Sequence, residues 1–159
     1  MSATSFVSPS QIRAQFSAAM SAMYKNDVPL SADLLALVAA VNQHCLEHDP
    51  ALRQHLHNTH ELARLDEERH GAIRVGTAQE LHTIRRLFAV MGMFPVGYYD
   101  LAPAGVPVHS TAFRALHEDE LQQSPFRVFT SLLRLELIDN ATLRDDAAAI
   151  LARRQIFTP

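Results

Sequence analysis

The sequence predicts an α+β protein: a three-helix N-terminal unit, then one βαβββ module and a C-terminal helix. Three observations carry that expectation. Through residue 68, apolar residues recur at intervals of three and four, the spacing of helices with one buried side. At His70 the period shortens to two in "HGAIRVG", a short β-branched run bounded by glycine. Beyond it, capping and turn signals cut the chain into one helix, three strand-length runs and a last helix. The expected divisions are residues 1–69 for the helical unit, 70–138 for the βαβββ module, and 139–159 for a helix leading toward a continuation outside this chain.

In the first helix, "SPSQIRAQFSAAMSAMY", Ile12, Phe16, Met20 and Met23 form one stripe. Ser8 or Ser10 is placed to cap it, and Pro9 is tolerated in the first turn. "NDVP" ends it, because the residue before Pro29 is pushed out of the α region. Ser31 is then expected to cap "ADLLALVAAVNQHCLEH", with Leu34, Leu37, Val38, Val41 and Cys45 inward. Asp49 is positioned to cap "ALRQHLHNTHELARLDEER", with Leu52, Leu56 and Ala63 inward. After the first strand, "TAQE" is a capping box from Thr77 to Glu80. It opens a helix with Leu81, Ile84, Leu87, Phe88 and Met91 on one face, ending at Gly92. "MFPVGYYDLAP" and "VPVHSTAFRAL" read as strands joined by "APAG", "HEDELQQSP" as a polar connection, and "FRVFTSLLRLEL" as the fourth strand. Asp139 or Asn140 caps the last helix, and no second copy of the βαβββ order occurs within the chain.

With 159 residues, 48% of them hydrophobic, the chain can bury a core as one or two compact units. A formal net charge of −3, with the central helix contributing only Arg85 and Arg86 as a basic pair, gives no electrostatic case for nucleic acid. The N-terminus has no charged n-region followed by an apolar one, and no apolar run approaches bilayer-spanning length, so the expectation is a cytoplasmic protein without a membrane partner. Cys45 is the lone cysteine; it excludes an internal disulfide framework and reads as a small buried hydrophobe. CxxC pairs, a GxSxG elbow and a glycine-rich phosphate loop are all missing from the sequence. His44 and His48, and His57 and His60, have helical spacing but no HExxH pattern, and read as solvated faces. Tyr98, Tyr99, His109 and Ser110 are polar groups on candidate strands, open to lining a cavity or to ordinary amphipathic positions.

His70, Ala72 and Arg74 share one face of the first strand, because side chains alternate. At about 3.3 Å per residue, the Cα atoms of His70 and Arg74 lie roughly 13 Å apart. Two readings fit. A short ligand sits between an imidazole, or a metal on it, and a guanidinium that pairs bidentately with a carboxylate. Alternatively, His70 is a strand-end histidine and Arg74 is salt-bridged to Glu67, Glu68 or Asp100, the commoner arrangement on surfaces.

Taken together, "ERHGAIRVGT", "FAVMGMFPVGYYDL", "VPVHSTAFR" and "PFRVFTSLLRLELI" resemble the N-terminal part of the 2-oxoadipate dioxygenase/decarboxylase family, the 2-hydroxyglutarate synthases of bacterial lysine catabolism. The resemblance covers essentially the whole chain and is most specific around His70. It implies a fold related to the vicinal-oxygen-chelate superfamily, in which paired βαβββ modules form a cup around a metal. It implies that His70 is a ligand of Fe(II) beside the substrate, and that Arg74 binds the substrate. The other two ligands, a histidine and a glutamate, are implied to come from the remainder of the same polypeptide, and Glu136 is not one of them. Two histidines and one carboxylate with open positions suit non-haem Fe(II). The implied reaction of the complete protein converts 2-oxoadipate and O₂ to 2-hydroxyglutarate and CO₂, and this chain alone is expected to be inactive. The alternative is a non-catalytic βαβββ binding module that pairs with a second module in the same or another chain.

Overall fold

The computed structural model describes residues 6–66 and 69–157, apart from the side chain of Ala63. Its helices and strands run α1 (Pro9–Asp27), α2 (Pro29–His48), α3 (Pro50–Asn58), β1 (His70–Val75), α4 (Ala78–Val90), β2 (Phe94–Asp100), β3 (Val108–Arg114), α5 (Glu118–Gln123), β4 (Arg127–Leu133) and α6 (Ala141–Arg153). Three helices, a βαβββ arrangement and a closing helix are therefore present in the expected order. The chain divides into two compact units: Phe16–Arg69, and the residues up to Gln15 together with those from His70 onward.

The helix boundaries follow local hydrogen-bond chemistry. Ser8 and Gln11 cap reciprocally, each side chain accepting the other's backbone N–H at 3.2 Å. Asp49 accepts the Leu52 N–H at 2.9 Å, as its position predicts. Ser31 is not a cap: α2 begins at Pro29, with Val28 at the cap position making no side-chain bond. Proline at the first helical position needs no N–H partner and arrives with its φ set, so the helix starts three residues early. The third helix stops at Asn58 instead of running to residue 68. The Thr59 hydroxyl bonds back to the carbonyls of His55 and Leu56, His60 takes φ 58°, and a 3₁₀ turn follows at Leu62–Arg64.

The expected inward stripe of α2 is not buried. Leu34 and Leu37 are 60% and 61% exposed, Val38 and Val41 are exposed with them, and no residue of α2 is buried. Cys45, read from sequence as a buried hydrophobe, is exposed. Leu52 is exposed as well, whereas Leu56 is half-buried. A helical period reports which side of a helix is apolar, not what covers it. Residues 16–69 supply too few elements to cover both sides of a 20-residue helix.

In the second unit the four strands form one sheet in the order β1-β4-β3-β2. β1 runs parallel to β4, and the other two pairs are antiparallel. α4 packs its Ile84 and Phe88 on one face of the sheet, where Val75, Phe113 and Val128 are buried. Phe88 meets Phe113 edge-on, with ring centroids 5.2 Å apart. The predicted capping box opens α4, Glu80 N–H donating to the Thr77 hydroxyl at 3.1 Å. The same Glu80 carboxylate accepts the Gly76 N–H at 2.6 Å and two bonds from Arg154, at 3.0 and 2.6 Å, just past the end of α6. The Arg154 guanidinium holds this carboxyl below its ordinary range against the opposing pull of burial, helped by the Gly76 N–H. Beside it, Leu151 packs so closely on Gly76 that a Cβ there would lie 2.1 Å from its Cδ2.

Arg13, from the first turns of α1, is fully buried in this unit. Its guanidinium donates to the carbonyls of Met91 (2.7 Å), Glu120 (2.7 Å) and Ser124 (3.1 Å), and to the Ser10 hydroxyl (3.3 Å). It thereby caps the C-terminal ends of both α4 and α5. The stretch read as a polar connection, 117–125, holds a helix (α5), with acidic residues Glu118, Asp119 and Glu120 favouring its N-terminal turn. The fourth strand ends earlier than expected, at Leu133; a 3₁₀ turn covers Leu135–Leu137. Asn140, rather than Asp139, caps α6, accepting the Leu143 N–H at 3.0 Å.

Candidate functional site

The side of the sheet away from α4 is built by alternation along each strand. β1 gives it His70, Ala72 and Arg74, all exposed, while Gly71 and Val75 point into the core. Strand register extends that pattern sideways in rows. Arg74 pairs with Ser131, Ser131 with Ser110, and Ser110 with Tyr99. Ala72 pairs with Phe129, then Ala112, then Gly97, and His70 pairs with Arg127. The face thus carries a polar row at Arg74, an apolar row through its middle and a His–Arg row at the far end. Tyr99 and Phe129 touch across the rows at 5.7 Å between ring centroids, and the Ser110 and Ser131 hydroxyls are 3.0 Å apart.

None of the described residues on this face is acidic, whereas Arg74, Arg127 and Arg114 are cationic. Its field therefore favours an anionic ligand. Arg74 has no hydrogen-bond or ion-pair partner among the described residues. Glu67 and Glu68, two partners considered for it, lie outside them. Asp100, the third, lies on the far edge strand and faces the other way, against His109 Nε2 at 3.2 Å. His70 is the one metal-ligand side chain that this face offers, and no group of three His, Cys, Asp or Glu able to hold a metal occurs among the described residues. One imidazole fits a shared metal site as a single donor; the remaining donors have to come from outside these residues.

Of the other polar groups singled out, Tyr99 and Ser110 belong to this face, and Tyr98 and His109 to the opposite one. There His109 joins a rim network: Nε2 meets Asp100, Nδ1 meets the Tyr98 hydroxyl and Arg134, and Arg134 pairs with Glu136. Glu136, engaged by Arg134 on that rim, lies beyond the C-terminal end of β4, whereas His70 pairs with Arg127 at the N-terminal end of that strand. His44, His48, His57 and His60 are exposed. Arg127, Phe129 and Ser131 are residues of the face that the sequence reading did not single out. The alternation in "RVFTSLL" marks them as one set; only the register of β4 beside β1 attaches that set to His70 and Arg74. No helix among the described residues is long and apolar enough to cross a membrane.

Comparison with known proteins agrees with this architecture. The family model for 2-oxoadipate dioxygenase/decarboxylase matches residues 16–159. The chain is 68% identical over 158 residues to a 2-oxoadipate dioxygenase/decarboxylase of Pseudomonas putida, covering 99% of this chain and 34% of that protein. It is 63% identical over 153 residues to the Escherichia coli protein of the same description, covering 96% and 34%. The crystal structure of the Pseudomonas putida hydroxyglutarate synthase in complex with 2-oxoadipate superposes with a TM-score of 0.92 at 68% identity, over 98% of this chain and 35% of that one. The chain thus spans about a third of the length of the curated relatives it matches. It belongs to the 2-oxoadipate dioxygenase/decarboxylase family.

Proposed function

We propose that this chain is a βαβββ binding module, non-catalytic by itself, that pairs with a second module to enclose a small dicarboxylate. The observation that carries this is the open face of β1: Arg74 exposed at one end, a single metal-ligand side chain, His70, at the other, and no acid among the described residues of the face. The dicarboxylate is 2-oxoadipate, the compound bound in the related Pseudomonas putida structure. Arg74 takes its distal carboxylate as a bidentate pair and so fixes how far the chain reaches toward His70. Ala72 and Phe129 provide the apolar floor beneath the methylene groups. His70 is one nitrogen donor to Fe(II), the others lying on the second module. Bound iron would supply activation of O₂ for oxidative decarboxylation, which these residues cannot perform unaided.

A second reading follows from length. Relatives about three times as long favour a second module in the same polypeptide, making the chain the N-terminal portion of an oxygenase that converts 2-oxoadipate and O₂ to 2-hydroxyglutarate and CO₂ in lysine catabolism. Residues 139–159 then lead into that continuation. The test is turnover of 2-oxoadipate under O₂ with added Fe(II), by the 159-residue chain alone and by the complete gene product. The chain alone is expected to be inactive; turnover by it would overturn the incomplete-site account.

A further inference from the structure

We propose that Ser131, held by Ser110, is a specificity-determining residue that reads the distal carboxylate together with Arg74. The inference rests on the reading of Arg74 as that carboxylate's anchor. Ser131 is the Cα partner of Arg74 in the parallel β1–β4 ladder, and Ser110 is the partner of Ser131 in the antiparallel β4–β3 ladder. All three side chains stand on the face that carries His70. Neighbouring strands are about 4.8 Å apart, so a guanidinium lying along the row passes over the serine hydroxyl.

The hydroxyl inventory decides what Ser131 is free to do. Ser110 is buried, and its Oγ is 3.0 Å from that of Ser131. Each hydroxyl owns one proton, so the pair consumes one between them and retains one. With Ser110 donating, the half-buried Ser131 keeps its proton for an acceptor above the sheet. A carboxylate there offers about four lone-pair sites, of which a bidentate guanidinium fills two. Ser131 supplies a third bond that no apolar ligand end can accept. The row below it, Ala72–Phe129–Ala112, offers no polar side chain, so on these strands the donors for the distal carboxylate are gathered at the Arg74 row.

The test compares 2-oxoadipate with 2-oxohexanoate, which has the same chain length but no distal carboxylate. In the complete active protein, Ser131→Ala is expected to lower the ratio of their kcat/KM values about tenfold, through KM for 2-oxoadipate, with iron content unchanged. Ser131→Thr, which keeps the hydroxyl, is expected to keep most of the ratio. Equilibrium binding of both acids to the metal-loaded protein provides the readout independent of turnover. A ratio within twofold of wild type in Ser131→Ala, or an equal loss for both substrates, would overturn the assignment while Arg74→Ala still collapses the ratio. Should Arg74→Ala also leave the ratio unchanged, the anchor reading itself fails and the assignment falls with it.

Discussion

Replacing Arg13 by methionine keeps the aliphatic stem but removes every donor of the buried guanidinium. The backbone carbonyls of Met91 and Ser124 then lose their partner inside the protein, whereas that of Glu120 keeps the Ser124 N–H at 3.0 Å. A buried acceptor left unmade costs about 1–3 kcal/mol, and two of them, together with the bond lost at Glu120, set the gross loss. Relief of the guanidinium's own desolvation offsets part of it; that burial already pushes the Arg13 group below its ordinary pKa, with nearby Glu120 pulling the other way. The expected net loss is about 4 kcal/mol, within the usual range for breaking a buried charged network. With a slope of about 2 kcal/mol per M, the urea midpoint followed by circular dichroism falls by about 2 M. Arg13→Lys keeps the charge but cannot fork across carbonyls from α4 and α5, and is expected to recover about half. A loss below 1 kcal/mol in Arg13→Met would refute the view that this side chain holds the first turns of α1 against the ends of α4 and α5.

Glu80 and Gly76 give two further tests around α6. The folded-state pKa of Glu80 is depressed, so its contribution is complete above the ordinary carboxylate value of about 4.3 and is lost as pH falls through the lower folded value. The stability gap between wild type and Glu80→Gln, measured by urea unfolding, should stay constant from pH 7 to about 5 and narrow below about 4; a gap that widens on acidification would contradict the pairing with Arg154. Gly76→Ala drives a methyl into Leu151 and is expected to cost about 1–3 kcal/mol, most of it recovered in the double variant with Leu151→Ala. Additive losses in that cycle would show that the two positions do not meet.

What was legible in the sequence is what short-range chemistry decides. The caps at Asp49 and Asn140, the box from Thr77 to Glu80 and the turn at Gly92 (φ 66°) each involve partners within a few residues. The strand at His70 and its shared face with Arg74 are equally local, since alternation needs no knowledge of neighbours. Burial was not legible, because it depends on partners: the α2 stripe and Cys45 have the pattern of an inward face and lie exposed. Arg13 carries no local signal of its burial in the sequence, because its carbonyl partners are 78 to 111 positions away. The same reason hid Ser131 and Phe129. Their face is written in the alternation of β4, but their place beside Arg74 and Ala72 exists only once the sheet order is known.

The central claim is that His70 and Arg74 divide one site, the first holding metal and the second substrate. It is tested most directly by measuring iron content and 2-oxoadipate affinity together in the complete gene product, purified without oxygen, for wild type, His70→Ala and Arg74→Ala. The account predicts that His70→Ala loses its iron, whereas Arg74→Ala retains it and binds 2-oxoadipate at least tenfold more weakly. Unaltered iron in His70→Ala, or equal loss of iron and substrate in a folded Arg74→Ala, would contradict it.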